Sequence, residues 1–96
     1  MNIKLMKCGG LYRASQINAV GESFGVPCMV GCMIETKISI TAGLSLVAAK
    51  KNITESDCDT FLFYKDGDTG MPGGFQMQND RFFLLDRPGL GLDISF

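Results

Sequence analysis

Three short apolar runs alternate with two segments of helical length, and this alternation narrows the open folds more than any other feature of the chain. Residues 2–6 read as a short extended segment, and Cys8-Gly9-Gly10 turns the chain behind it. Over residues 11–24, Ala14, Ile17, Val20 and Phe24 recur at helical spacing, which predicts one inward-facing stripe. Gly25 is the natural stop, because glycine accepts the positive φ that commonly closes a helix. Residues 26–30 form a second extended run. Ser39 is the expected cap of a second helix reaching about Lys50, with Ile40, Leu44, Val47 and Ala48 on its apolar face. Gly43 inside that helix costs about 1 kcal/mol against alanine, which predicts close packing on a neighbour. A third extended run begins at Ile53 and ends near Cys58. Strands alternating with helices of this length predict βαβ units and a parallel sheet, an α/β fold.

The last third of the chain has a different texture. Asp66-Gly67-Asp68-Thr69-Gly70 and Pro72-Gly73-Gly74 are turn chemistry. Phe75–Gln78 and residues 81–85, separated by Asn79-Asp80, predict a hairpin with a two-residue turn. Pro88-Gly89-Leu90-Gly91-Leu92 forms a glycine-rich close.

Composition removes several function classes. A chain of 96 residues is one small domain at most, and at this size it buries only about 60–70% of its unfolded surface. With a net charge of −1 and no basic run, no nucleic-acid partner is expected. The N-terminus lacks the roughly 7–15-residue apolar core of a secretory signal, and the apolar stretches stop well short of a membrane span. No membrane partner is expected, and a cytoplasmic location is. The four cysteines, at 8, 28, 32 and 58, have no zinc-type spacing and no histidine beside them, so they read as small buried or loop-end thiols.

Against this background four motifs stand out in order. They are Asn2-Ile3-Lys4-Leu5-Met6-Lys7-Cys8-Gly9-Gly10-Leu11, then Cys28-Met29-Val30-Gly31-Cys32-Met33-Ile34-Glu35-Thr36, then Asp57-Cys58-Asp59, and finally Pro88-Gly89-Leu90-Gly91-Leu92. Together they resemble the C-terminal part of the muconate-lactonising group of the enolase superfamily, and Asp57-x-Asp59 is similar to the dipeptide epimerases. The resemblance implies a partial (β/α)7β TIM-like barrel holding strands six to eight with their helices over residues 1–65. It implies that residues 66–96 are a tail returning toward a capping domain. It also implies that this chain is the end of a longer enzyme, with the second lysine and the acidic Mg²⁺ ligands upstream.

By the same resemblance, Lys4 is the catalytic base at the end of the sixth strand, preferred over Lys7 in the following loop. Enzymes of this kind remove a proton α to a carboxylate, and Mg²⁺ stabilises the ene-diolate that results. Asp57 and Asp59, two apart on an extended segment, are expected to face one side and hold the α-ammonium of a dipeptide. Cys32 and Ile34 are expected to alternate at the mouth of the seventh strand and line the side-chain pocket. Glu35 is read as a carboxylate that orients the rim, with a surface ion pair as the alternative. Asp66 and Asp68 share the Asp-x-Asp spacing but lie among glycines and read as turn residues.

The expected partner is a small dipeptide or amino-acid derivative, with a homo-oligomer or a complementing N-terminal portion as the expected protein partner. N-acylamino-acid racemase, o-succinylbenzoate synthase, muconate cycloisomerase and a non-catalytic partial barrel remain the alternatives.

Overall fold

The computed structural model describes residues 1–64 and 72–94. Its elements run β1 (Asn2–Ile3), α1 (Leu5–Cys8), α2 (Leu11–Ser23), β2 (Cys28–Gly31), α3 (Lys37–Ala49), β3 (Ile53–Asp57), a 3-10 turn (Thr60–Phe63), β4 (Phe75–Gln78) and β5 (Arg81–Leu84). β1, β2 and β3 form a parallel sheet in that order, as the strand–helix alternation predicts. The pairing sets Ile3 beside Val30 and Gly31 beside Asp57.

The first extended run is shorter than expected. The chain is still extended at Lys4 (φ −124°, ψ 118°) and then winds one helical turn, which Gly9 closes at φ 94°. Ile3 and Leu5 are both buried while Met6 is exposed. A strand alternation and the start of a helical turn bury Leu5 equally well, so the apolar pattern does not separate them.

The inward face of α2 also differs from the expected stripe. Ala14 is buried and Ile17 packs against the core, but Val20 and Phe24 are 57% and 81% exposed. The buried line runs instead through Ala14, Asn18 and Gly21, which are four and three residues apart. Asn18 is tolerated inside because Asn52 Nδ2 donates to its Oδ1 at 3.3 Å. Gly21 faces inward because a Cβ there would stand 2.9 Å from Cys28 Sγ. Hydrophobicity alone selects neither residue.

α3 begins at Lys37 with Thr36 as its cap position, and Ser39 lies inside the helix. The Ser39 hydroxyl donates to the Glu35 carboxylate. Ile40 and Leu44 are buried as expected and Val47 is partly so, whereas Ala48 is exposed. A Cβ on Gly43 would stand 3.4 Å from Val30 Cγ1, so this glycine brings α3 close onto β2. The expected close packing is therefore present.

The tail folds back onto the same helix. β4 and β5 pair as an antiparallel hairpin whose turn residues Asn79 and Asp80 both have positive φ, 47° and 67°. That is the conformation a two-residue hairpin turn requires, and asparagine and aspartate are among the residues that tolerate it. Phe61, Phe75 and Phe82 meet edge to face with ring centroids 5.5–5.6 Å apart, fastening the 3-10 turn to the hairpin. Gly73 bridges to Leu92, and the Gly74 amide donates to the Gly91 carbonyl at 2.9 Å. Arg87 and Asp93 close the segment with a 2.6 Å surface ion pair that holds the Asp93 carboxyl below its usual range. The expected turn at Asp66-Gly67-Asp68-Thr69-Gly70, and the division between residues 65 and 66, lie outside the described residues.

Candidate functional site

The sheet has one covered face and one open face at its C-terminal edge. Val30 turns toward α3, where Gly43 receives it. Gly31, the next residue, therefore belongs to the opposite face. There the place a Gly31 side chain would occupy lies 2.7 Å from Asn2 Oδ1 and 3.2 Å from Lys4 Cε. Lys4 stands one residue past the Ile3–Val30 pair, between β1 and α1, and Gly31 is paired with Asp57, so Lys4, Gly31 and Asp57 follow one another as a row along the ends of the three strands.

The backbone under Lys4 is fixed. Its carbonyl accepts from the Lys7 amide at 2.9 Å and the Cys8 amide at 3.0 Å, so the strand end is also the start of α1. Lys4 is partly exposed, and Lys7 is exposed on the turn beyond. Asp57 is the last residue of β3 and is exposed.

The two aspartates do not share an extended segment. β3 ends at Asp57, and Asp59, with φ −97° and ψ 0°, begins the 3-10 turn. The alternation that would place both on one side stops between them. Asp59 lies beside the loop after β2, where its Oδ1 is 3.6 Å from Cys32 Sγ. Cys32 and Ile34 likewise fall after β2, which ends at Gly31, and not on a continuing strand. Cys32 is partly buried and turned toward the 3-10 turn, whereas Ile34 is 92% exposed. The expected alternation of these two on a strand mouth is not found, because the chain leaves the sheet one residue earlier.

The loop after β2 is held from three directions. Glu35 is buried, accepting from the Met33 amide at 2.6 Å and from the Ser39 hydroxyl. Its own carbonyl accepts from the Tyr64 hydroxyl at 2.6 Å. Thr60, also buried, donates its hydroxyl to the Met33 carbonyl. That donation leaves the Cys32 thiol as the donor in the 3.0 Å contact between Cys32 Sγ and Thr60 Oγ1. Glu35 thus sits inside the rim and orders the loop. Thr60 and Tyr64 escape a reading of the sequence, because nothing in Thr60-Phe61-Leu62-Phe63-Tyr64 marks two hydroxyls that reach back across about 30 residues.

Burial and negative surroundings act on the groups beneath the rim. The Cys58 thiol is pushed up to about 12, first by burial and then by Cys32, Glu35, Asp57 and Asp59. It therefore stays protonated near neutrality. Tyr64 is raised by burial and by Glu35. Among the described residues, no three His, Cys, Asp or Glu side chains converge as a metal site. A separate cavity of about 470 Å³ lies between α3 and the hairpin, lined by Leu44, Val47, Ser56 and Phe83 among others. It opens on the covered side of the sheet and includes no residue of the Lys4–Asp57 row.

The enolase C-terminal domain-like family model matches residues 1–96. The chain belongs to that family. It is 44% identical to the L-Ala-D/L-Glu epimerase of Clostridium acetobutylicum over 93 residues, 97% of this chain and 25% of that protein. The substrate-liganded L-Ala-D/L-Glu epimerase of Bacillus subtilis superposes with a TM-score of 0.88 at 46% identity, covering 95% of this chain and 25% of the other. The dipeptide epimerase of Methylococcus capsulatus, complexed with Mg and the dipeptide L-Arg-D-Lys, superposes with a TM-score of 0.88 at 41% identity, again over 95% and 25%. The chain therefore spans about a quarter of the length of the relatives it matches. No helix among the described residues is long and apolar enough to cross a membrane.

Proposed function

We propose that this chain is the C-terminal barrel portion of a cytoplasmic, Mg²⁺-dependent dipeptide epimerase. It would carry strands six to eight of a (β/α)7β barrel, with β1, β2 and β3 in those places. Residues 1–65 belong to the barrel in this reading, and residues 66–96 return toward a capping domain.

Lys4 serves as one of two bases flanking the carbon α to the substrate carboxylate. It removes the α-proton from one epimer and delivers a proton to the other, since inversion requires donors on both faces. Asp57, at the end of β3, and Asp59, at the start of the 3-10 turn, receive the dipeptide's ammonium, and Cys32 and Ile34 border the side chain. Mg²⁺, when bound, would stabilise the negative charge that develops on the substrate carboxylate. The described residues do not fit a ligand set for it, and the family resemblance assigns its ligands to strands preceding those of this chain.

The observation that carries the reading is the row Lys4–Gly31–Asp57, with an amine at one end and a carboxylate at the other. It lies at the C-terminal ends of parallel strands, where barrel enzymes hold their chemistry.

The test is α-proton exchange in D₂O with Mg²⁺ and L-Ala-L-Glu. It is run on this chain complemented by the rest of the Bacillus subtilis relative, of which this chain covers 25%. Exchange with the dipeptide and little with N-succinyl amino acids is expected. The reverse preference would favour the N-acylamino-acid racemase alternative, and no exchange with either would favour a non-catalytic partial barrel.

A further inference from the structure

The glycine at the centre of the rim row calls for its own explanation. Gly31 ends β2, where it pairs with Asp57 of β3, and it is not among the residues with positive φ. Its backbone is thus one that any residue adopts, and conformational freedom does not account for glycine here. Space does. A Cβ on Gly31 would stand 2.7 Å from Asn2 Oδ1 and 3.2 Å from both Asn2 Nδ2 and Lys4 Cε. The Lys4 side chain therefore lies across the surface that a side chain at position 31 would fill, running toward the strand that bears Asp57. A glycine within a strand marks a place where another group must approach closely, and here that group is the stem of a lysine.

We propose that Gly31 is a positioning residue for Lys4: the bare backbone of β2 forms the channel floor along which the lysine stem is laid, and so fixes where its amine stands. The inference rests on the reading of Lys4 as a base, but its geometric half is testable without activity. Replacing Gly31 with alanine pushes back the flexible Asn2 carboxamide and lifts the Lys4 stem from the sheet, with no change to the groups assigned to the substrate.

The geometric half is read on the chain in its complemented form, without substrate, by competitive acetic anhydride labelling, quantified for each lysine by peptide mass spectrometry. Gly31→Ala is expected to raise labelling of Lys4 several-fold and leave Lys7 unchanged. Unchanged labelling of Lys4 would overturn the proposal and leave the assignment of Lys4 as a base untouched. The catalytic half is read on the complemented enzyme. Gly31→Ala is expected to slow α-proton exchange from one epimer by about 100-fold, the scale of a roughly 1 Å misplacement, chiefly in kcat and with KM nearly constant. A fall in both epimers alike, or one confined to KM, would overturn it. If the single variant does not fold, Asn2→Gly with Gly31→Ala removes the tightest contact and keeps the lysine displaced, so the same one-sided loss is expected. Full recovery in that double variant would assign the effect to Asn2 and overturn the proposal. Unimpaired exchange in Lys4→Ala would instead remove the reading on which the catalytic half depends, while the labelling result stands.

Discussion

Buried Thr60 donates its hydroxyl to the carbonyl of Met33, joining the turn after β3 to the loop after β2. Thr60 follows Asp59 directly, and Met33 separates Cys32 from Ile34, so one hydrogen bond holds the two loops that border the proposed substrate site. Thr60→Val keeps the shape and removes the donor, leaving a partly buried carbonyl unpaired. It is expected to cost about 1–3 kcal/mol of stability, measured by denaturant unfolding. Thr60→Ser should recover most of the loss, because it restores the hydroxyl.

The base reading of Lys4 makes a one-sided prediction. In the complemented enzyme, Lys4→Ala should abolish α-proton exchange from one epimer and leave some exchange from the other, because each of two bases serves one face. Proton and deuterium NMR of the two epimers in D₂O separates the rates. Equal loss for both, or none, would point to Lys7 or to another mechanism.

Which parts of this arrangement were legible beforehand follows from what fixes them. The parallel α/β order, the two-residue hairpin turn and the close approach at Gly43 depend on local spacing and turn chemistry, and sequence carries those directly. The inward face of α2 is not legible in hydropathy, because Asn18 is buried through a hydrogen bond and Gly21 through close contacts that hydropathy does not record. Ser39 has the chemistry of a helix cap but lies inside α3, where its hydroxyl donates to the Glu35 carboxylate four residues before it. The separation of Asp57 from Asp59 was hidden for a related reason. An Asp-x-Asp pair looks the same whether the strand continues or a 3-10 turn begins between its members.

Recognition of the dipeptide ammonium gives the next prediction. Asp57→Asn or Asp59→Asn should raise KM for dipeptides and affect N-acylated analogues little, since only the former carry the charge. A lost charge-assisted hydrogen bond costs about 1.5–3 kcal/mol, roughly 10- to 150-fold. Because only Asp57 lies on the sheet row, its effect should be the larger of the two. Steady-state kinetics on paired substrates decides this, and equal weakening of both substrate types would make the aspartates structural.

Cys58 predicts a pH dependence. Its folded pKa is pushed up to about 12 by burial and by nearby negative groups, against about 8.5 for an unperturbed thiol. A group raised in the folded state contributes stability that is fully present below its unfolded value and is lost as pH rises through its folded value. Stability should therefore decline between roughly pH 9 and 12. Cys58→Ala should flatten that decline in thermal unfolding followed across the range. At pH 8, iodoacetamide should modify partly exposed Cys8 well before buried Cys58.

The last prediction concerns the chain by itself. A parallel sheet is normally covered on both faces, yet here α3 covers one face while Asn2, Lys4 and Gly31 lie on the other. β1 and β3 are the outer strands of the sheet, and unpaired edges of this kind are templates for association. Large apolar side chains also stand in solvent: Ile34 is 92% exposed, Phe63 82% and Phe24 81%. Exposed apolar surface that is contiguous or ringed by polar groups drives association. The isolated 96-residue chain is therefore expected to be a homo-oligomer or partly molten, and inactive. Size-exclusion chromatography with light scattering gives the assembly state, and near-ultraviolet circular dichroism reports whether the Phe61–Phe75–Phe82 cluster is fixed. Adding the complementing barrel portion should convert the oligomer to a defined complex and restore exchange. A well-ordered monomer that exchanges the α-proton of an Ala-Glu-type dipeptide unaided would show instead that three strands suffice to build the site, and would refute the assignment of half the catalytic apparatus to strands outside this chain.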